Sequence, residues 1–392
     1  MLFRLCFATL FPVKKAYKFR IYPTKKQVSA CNQTLSICHE LYNSALMERR
    51  DAYRIAGISI TYQLQQNQLP DIKKTRVDLK SVHSQVLQDV LKRLDNGMKA
   101  FFRQVRTGEK PGFPRFRSRS RYDSFTYSQS GFEIKGDRLA LSKIGHVKIR
   151  LHRAIEGSIK TCTIRRTATG KWFACFSCEV EVEALMLPQS ANASAEAVGT
   201  DAGLHSFSTL STGEKIDNPR FFREEEKELA KVQRKLSKTE RKSKERSERK
   251  KIVARVHERI ANKRHDFAHQ ESRKVVNKYG IICVEDLQIL NMMKNHCLAK
   301  SIADAAWRMY FQCLAYKAGW AGRQMVKVDP RNTSRDCHRC GHRRADLRLS
   351  DRVYECTNPE CLLVMDRDWN AALNVLGLGL QTVGLRALEA SA

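Results

Sequence analysis

Residues 333–376 read TSRDCHRCGHRRADLRLSDRVYECTNPECLLVMDRDWNAALNVL, and the rest of the chain is organised around this stretch. Cys337 and Cys340 form a C-x2-C pair backed by Gly341, and Cys356 and Cys361 form a C-x4-C pair across a polar, basic loop. Four thiolates at such spacing close a tetrahedral structural Zn2+ site and leave no position open for water. Two chance pairs are the plain alternative for a motif this short. Directly after the second pair, Asp366-Arg367-Asp368-Trp369-Asn370 runs into apolar periodicity at Leu373, Leu376 and Leu380, the pattern of a helix. That pattern predicts Asp368 at the N-cap, where helix amides and the helix dipole favour a carboxylate. Capping alone would account for this acid if it stood alone.

Composition bounds the answer. A chain of 392 residues with 42% apolar content can build two or three domains with their own cores, which excludes a disordered tail protein. Lys and Arg number 71 against 41 acidic residues, a formal charge of +30. Self-repulsion of that size is relieved by a polyanion, so nucleic acid is the default partner. Thirteen cysteines are an odd, scattered count without the density of a secreted disulfide scaffold, and a reducing cytosol fits them. The start MLFRLCFATLF is apolar, but Arg4 interrupts it and no small-residue cleavage site follows, so it makes a poor signal peptide. Residues 1–12 read as an extension ahead of the fold, with Val13 the candidate start. No later run reaches the roughly 18 apolar residues of a membrane-spanning helix.

Upstream of the opening stretch, Tyr17, Phe19 and Ile21 alternate with Lys18, Arg20 and Tyr22, a half-buried strand ended by Pro23. From Thr24 the spacing turns helical, with Val28, Cys31, Leu35, Cys38, Leu41 and Ala45 on one side. A second helix is predicted from Ser81 to Phe102. The segment KPGFPRFRSRSRYDSFTY at 110–127 interleaves rings with guanidinium groups, and its prolines forbid a helix. It suits stacking on an exposed nucleic-acid strand and equally a basic loop whose rings anchor it to a core. Period two returns at Val147, Ile149 and Leu151, at Thr161 and Thr163, and at Trp172, Ala174 and Phe176, predicting a small barrel. Cys175 and Cys178, three apart on a strand, point to opposite faces and make no metal pair. LPQSANASA at 187–195 reads as part of a linker.

A second domain opens at Ala197-Val198-Gly199-Thr200-Asp201, a short buried strand ending in an acid. Beside Gly203 such an Asp is ordinarily a turn residue. The next segment reads as a strand, a Thr212-Gly213 turn and another strand. Residues 221–277 read as one long helical stretch rich in Lys and Arg, either a solvated face or a phosphate rail. His265 and His269 stand one turn apart without a third ligand, which favours a surface or phosphate role over metal. Ile281-Ile282-Cys283-Val284-Glu285 is a continuous apolar run ending in an acid, as a central strand of a covered sheet would be. Asp201, Glu285 and Asp368 thus each end or begin a buried element, with no Lys or Arg partner evident. Three such carboxylates repel one another unless cations bridge them, and two Mg2+ ions would do so while serving phosphodiester hydrolysis.

At this point the chain resembles the TnpB (OrfB) proteins of bacterial insertion sequences, relatives of the type V CRISPR effectors. The resemblance rests on YKFRIYPT at Tyr17, VHSQVLQDVLKRLD at Val82, GEKPGFPRF at Gly108, GTDAGL at Gly199, VEDL at Val284, TSRDCHRCG and DRDWNAA. These motifs run in order from about residue 14 onward. The resemblance implies an RNA-guided DNA endonuclease with an α+β and α/β multidomain fold. An N-terminal wedge-like β-barrel (13–30 and 106–186) would be interrupted by a helical recognition lobe (31–105). After a linker (187–196), an RNase-H-like RuvC nuclease (197–332 and 365–380) would carry an inserted zinc ribbon (333–364) and a tail (381–392). Carried over by motif, Asp201, Glu285 and Asp368 are the catalytic, Mg2+-holding carboxylates, Asp366 is not a ligand, and Cys337, Cys340, Cys356 and Cys361 hold Zn2+. The implied partners are a guide RNA from the transposon end and target double-stranded DNA, in a bacterial cytoplasm with nucleoid association.

The chain departs from the family pattern where C-x2-C followed by Gly is usual, since here C-x4-C is followed by Leu362. Two rival functions are a DNA-strand transposase and a nuclease-inactive regulator of transposition. The first needs a nucleophile, and no Tyr or Ser stands in a recognisable catalytic setting. The second has no reason to keep three mutually repelling acids.

Overall fold

The computed structural model describes residues 10–183, 197–348 and 350–384. The expected linker, most of the expected extension and residues 385–392 of the expected tail lie outside the described residues. Two compact units divide the chain, one of Pro12–Glu181 and one built from Val182 onward.

In the first unit, β1 (Leu10–Tyr22) buries Tyr17, Phe19 and Ile21, the alternate residues of its apolar face. It takes in residues 10–12 of the expected extension. Three helices follow: α1 (Lys25–Ala56), α2 (Tyr62–Thr75) and α3 (Ser84–Arg106). Thr24 and Gln27 form a capping box that starts α1, and Gly57 ends it at φ 67°. Val86, Leu87, Val90, Leu91 and Leu94 make the buried stripe of α3, each side chain contributing about 1.5–3 kcal/mol. The remaining strands are β2 (Ser124–Tyr127), β3 (Phe132–Lys135), β4 (Arg138–Leu141), β5 (Gly145–Arg150), β6 (Ser158–Arg166) and β7 (Trp172–Glu183).

They join β1 in a seven-stranded sheet ordered β2-β6-β7-β1-β5-β4-β3. Its two edges, β2 and β3, are linked by only Ser128–Gly131, and the Tyr127 and Phe132 rings lie 6.4 Å apart. The sheet therefore curls almost shut, the barrel-like form that period two and Gly turns predicted. The basic aromatic segment divides between its two readings. Tyr122, Phe125 and Tyr127 are buried in the core, whereas Phe113 and Phe116 are exposed. Arg50 lies over the Phe116 ring at 5.2 Å and Arg117 over Tyr42 at 5.0 Å.

The second unit is built on a five-stranded mixed sheet ordered β10-β9-β8-β11-β12. These strands are β8 (Ala197–Asp201), β9 (Ser206–Leu210), β10 (Lys215–Asp217), β11 (Ile281–Glu285) and β12 (Gln324–Val328). Between β10 and β11 lie helices α4 (Phe221–Ser237) and α5 (Lys244–Lys278). After β11 come the short α6 (Ile289–Met292) and α7 (Ala299–Ala305), then α8 (Trp307–Trp320). Past β12 lie the hairpin β13 (Val353–Glu355) and β14 (Val364–Asp366), and then α9 (Arg367–Thr382).

β11 runs parallel to both β8 and β12, and all five of its residues are buried. Its apolar run is continuous because both faces are covered. Ile282 and Val284 pack in the cluster with Val276, Tyr310 and Leu314, while Ile281 and Cys283 pack with Val375 and Leu380 of α9. The long helical stretch expected at 221–277 is broken into a hairpin. Ser243 caps α5 by accepting from Arg246 N, and the Arg246 guanidinium donates to the Leu236 and Thr239 carbonyls at the end of α4. Glu225 pairs with Arg259 and Glu224 with Lys263 across the hairpin, so part of the basic run is neutralised internally.

Candidate active site

The placement of α9 decides the site. A Cβ on Gly199 of β8 would come 2.1 Å from the Ala372 carbonyl oxygen, and one on Gly379 would come 2.2 Å from Cys283 Sγ. Glycine at these two positions lets the helix press against the backbone of β8 and the Cys283 side chain of β11. Ala371, Ala372, Val375 and Gly379 are buried on that side, and Asp368 lies on the same face by its i, i+3, i+4 and i+7 spacing. Asp368 is thereby delivered to the ends of β8 and β11 that carry Asp201 and Glu285.

The expectation that Asp368 caps this helix is corrected. Asp366 is the N-cap: its carboxylate accepts from Trp369 N at 3.0 Å and pairs with Lys215 at 2.6 Å, and this holds its pKa below the usual carboxylate range against burial. Asp368 stands in the first turn, 8% exposed. Trp369 locks the approach by donating from its indole to the Ser211 carbonyl at 2.9 Å, with its ring beside Gly213.

Electrostatics bind the three acids into one group. Burial pushes the Asp201 carboxyl well above its ordinary pKa, and the charges of Glu285 and Asp368 push in the same direction. Glu285 is buried and raised to about 7 by desolvation, with the Thr333 hydroxyl opposing the shift. The expected absence of a basic partner is also corrected. The Arg367 guanidinium donates to Asp368 Oδ1 at 3.1 Å and pulls the Asp201 pKa down. Among the described residues, the His, Cys, Asp and Glu side chains drawn together tightly enough to hold a metal as they stand are the four cysteines, not the acids. Carboxylate oxygens are the donor set of hard divalent cations such as Mg2+.

The cysteine centre fits a metal closely. Cys337, Cys340, Cys356 and Cys361 offer sulfurs all within 4.8 Å of one another, with Cys337 to Cys361 at 3.7 Å and Cys340 to Cys356 at 3.6 Å. A tetrahedron with Zn–S near 2.3 Å has edges of roughly 3.8 Å, whereas a disulfide needs roughly 2 Å. Backbone donation from His342 leads in pulling the Cys340 thiol down to about 7. The departure at the second pair is absorbed by backbone shape. Gly341, after the first pair, has φ 73°, and Leu362, after the second, takes φ 46° in the same left-handed region.

Several residues tying these centres together were missed by sequence reading. Thr333 donates from its hydroxyl to Glu285 Oε1 at 2.7 Å. Asn370 donates to the Asp336 carbonyl at 2.8 Å and accepts from His338 N at 3.0 Å, and Asn374 donates to the carbonyls of Thr333 and Asp336. One signal existed for the pair: Asn370 and Asn374 are polar at i, i+4 beside an apolar stripe. The His265 and His269 rings are 4.3 Å apart, and His269 bonds Tyr316 of α8, a contact between helices.

With this geometry in place, similarity gives the family. Residues 175–296 match the OrfB family model described as a probable transposase, and residues 307–375 match the Cas12f1-like TNB domain. Residues 13–57 match a model described as a helix-turn-helix domain, although here they form β1 and the single helix α1. A Streptomyces pristinaespiralis protein named as an RNA-guided DNA endonuclease is 37% identical over 377 residues, 94% of this chain and 90% of that protein. InsQ of Escherichia coli K12, with the same descriptive name, is 31% identical over 93% of this chain and 92% of its own length. The solved Cas12f1 chain from a complex with guide RNA and target DNA matches with a TM-score of 0.59 at 14% identity, over 93% of this chain and 99% of that one, a likeness of fold. By the identity and coverage of these relatives, the chain belongs to the TnpB (OrfB) family.

Proposed function

We propose that this protein is a transposon-associated, RNA-guided DNA endonuclease that hydrolyses target phosphodiesters at Asp201, Glu285 and Asp368. The observation that carries the reading is the convergence of three acids from β8, β11 and α9 on one electrostatically linked group, within a family whose members are named for this activity. The three carboxylates would hold two Mg2+ ions, which supply an activated water and neutralise charge on the phosphoryl oxygens. The chain's own contribution is positional. The strand ends fix Asp201 and Glu285, the first turn of α9 sets Asp368 where helix amides favour negative charge, and surrounding burial keeps the carboxylates out of bulk water. The four cysteines would hold a structural Zn2+.

Sequence choice would lie with the guide RNA, drawn from the transposon end. The protein would read heteroduplex shape and a short flanking DNA motif. In this reading the barrel-like sheet is the wedge, α1 to α3 are the recognition lobe, residues 197–332 and 365–380 are the RuvC-like nuclease and 333–364 the ribbon. The charge of +30 supports an RNA-bound state with steep salt dependence. The test is to sequence RNA that copurifies with the expressed protein and offer duplex DNA matching it. Cleavage that needs that RNA and is lost in Asp201→Ala is expected. Equal cleavage by RNA-free protein would replace guiding with direct protein readout.

A further inference from the structure

We infer that Thr333 is the positioning residue for Glu285, and that through it the first cysteine knuckle sets the geometry of the acidic site. The inference deepens the proposed nuclease reading and rests on it. Thr333 is 4% exposed, and its hydroxyl lies 2.7 Å from Glu285 Oε1 and 3.1 Å from the Pro330 carbonyl oxygen. A hydroxyl has one proton to give, and with Glu285 ionised, as a bound cation would hold it, the carboxylate is a stronger acceptor than the Pro330 carbonyl. Among the described residues this is the hydrogen bond that Glu285 receives, and it fixes one oxygen of a side chain that could otherwise rotate.

The position of Thr333 in the chain makes that bond more than local. The turn from Asn332 to Asp336 is closed by Arg335 N and Asp336 N donating to the Asn332 carbonyl, and Cys337 follows at once. The Thr333 and Asp336 carbonyls accept from Asn374, and Asp336 also accepts from Asn370, both on α9. Asp368 belongs to that same helix. One six-residue segment, 333–338, therefore holds Glu285 on one side and the helix bearing Asp368 on the other, and is itself anchored where a metal would clamp Cys337. Hydrogen-bond partners that orient metal-holding side chains change metal affinity by roughly 10–100-fold when removed.

The test uses the full chain with its copurified RNA and Mn2+ as probe, with free Mn2+ read by electron paramagnetic resonance. Thr333→Val keeps the shape and removes the donor. It should weaken Mn2+ binding by roughly 10–100-fold and lower kcat while leaving KM for target DNA, zinc content and melting temperature near wild type. Thr333→Ala should behave as Thr333→Val, and Thr333→Ser should restore most of the affinity. Wild-type Mn2+ affinity in the Val variant, or a Ser variant as weak as Val, would overturn the inference. Loss of zinc or of folding in both Val and Ala variants would overturn it too, since the hydroxyl would then serve the knuckle and not the carboxylate. Asp201→Asn separates the two ideas. If wild type and Asp201→Asn bind Mn2+ equally, the acidic site itself is wrong and the positioning role falls with it.

Discussion

Raising the pH should destabilise the second unit when its acidic site is free of divalent ions, and Glu285 is the residue to watch. Its pKa lies at about 7 in the folded protein against an ordinary 4.5, raised by burial. Between those values the folded state keeps a proton that the unfolded chain has released. Folding stability therefore falls as pH rises through the window, opposite to a salt-bridged carboxylate. The gap corresponds to about 3 kcal/mol above pH 7, an upper figure because the group titrates together with Asp201, which is shifted the same way. Urea unfolding followed at pH 5.5, 6.5, 7.5 and 8 would measure it. Divalent ions should be removed by resin, because a strong chelator would strip the cysteine centre. Protonation of thiolates also changes zinc affinity across this range, so the diagnostic quantity is the difference between wild type and Glu285→Gln. The variant should gain relative stability from pH 5.5 to about 7 and level off by pH 8, and added Mn2+ should abolish the difference by favouring the ionised wild-type carboxylate. A wild-type minus variant difference that stays flat with pH would refute the burial argument for Glu285.

Gly379→Ala should cost about 1–3 kcal/mol in urea unfolding because its new carbon collides with Cys283, whereas Gly377→Ala, which meets nothing within 4 Å on the same helix, should gain about 0.5–1 kcal/mol. Asp366→Ala should lower stability by about 1 kcal/mol through loss of the cap while sparing Mn2+ binding; Asp368→Ala should do the reverse, abolishing DNA cleavage in folded protein. Metal analysis should find about one Zn2+ per chain, with Cys337→Ser losing it and destabilising the C-terminal unit; well-folded protein without zinc would refute the assignment. Leu362→Gly should raise the melting temperature, since a side chain 70% exposed gives up little on removal and φ 46° costs any L residue about 1–2 kcal/mol.

What was legible in the sequence was whatever local pattern encodes. The apolar run of β11, the alternation along β1, the stripe of α3 and the four cysteines are short-range regularities set by residue periodicity or ligand spacing. The misses share a different origin. The break between α4 and α5 carries no Gly or Pro and depends on one guanidinium reaching back ten residues to a carbonyl. Thr333 meets Glu285 across 48 residues, a pairing that no window of sequence contains. The cap was misplaced by two positions because Asp366 and Asp368 are equivalent in composition. Only the hairpin pairing Val353 with Asp366 shows where strand stops and helix begins. Arg367 was overlooked as a partner because an adjacent residue does not ordinarily face its neighbour on a helix.

The same helix shows how this chain can carry a longer second cysteine pair and still hold Asp368 in phase with the sheet. Around α9, Asp368, Ala371, Ala372 and Val375 face the sheet while Asn370 and Asn374, one turn apart, face the knuckle, so a single rotation angle sets both contacts. Inserting or deleting one residue between Cys361 and Asp368 would turn the helix by about 100° relative to the ribbon and break one contact to keep the other. Residues between Cys356 and Cys361 are under no such constraint. Cys361 N and Leu362 N both bond the Asn358 carbonyl in a closed turn, and Cys356 N donates to the Leu363 carbonyl beyond it, so extra length is looped out before the register resumes. The hairpin then counts Glu355 against Val364 and Val353 against Asp366, handing α9 a fixed starting point. The spacing that matters is therefore the seven positions from Cys361 to Asp368, which bind the phase of the carboxylate to the phase of the cysteine knuckle.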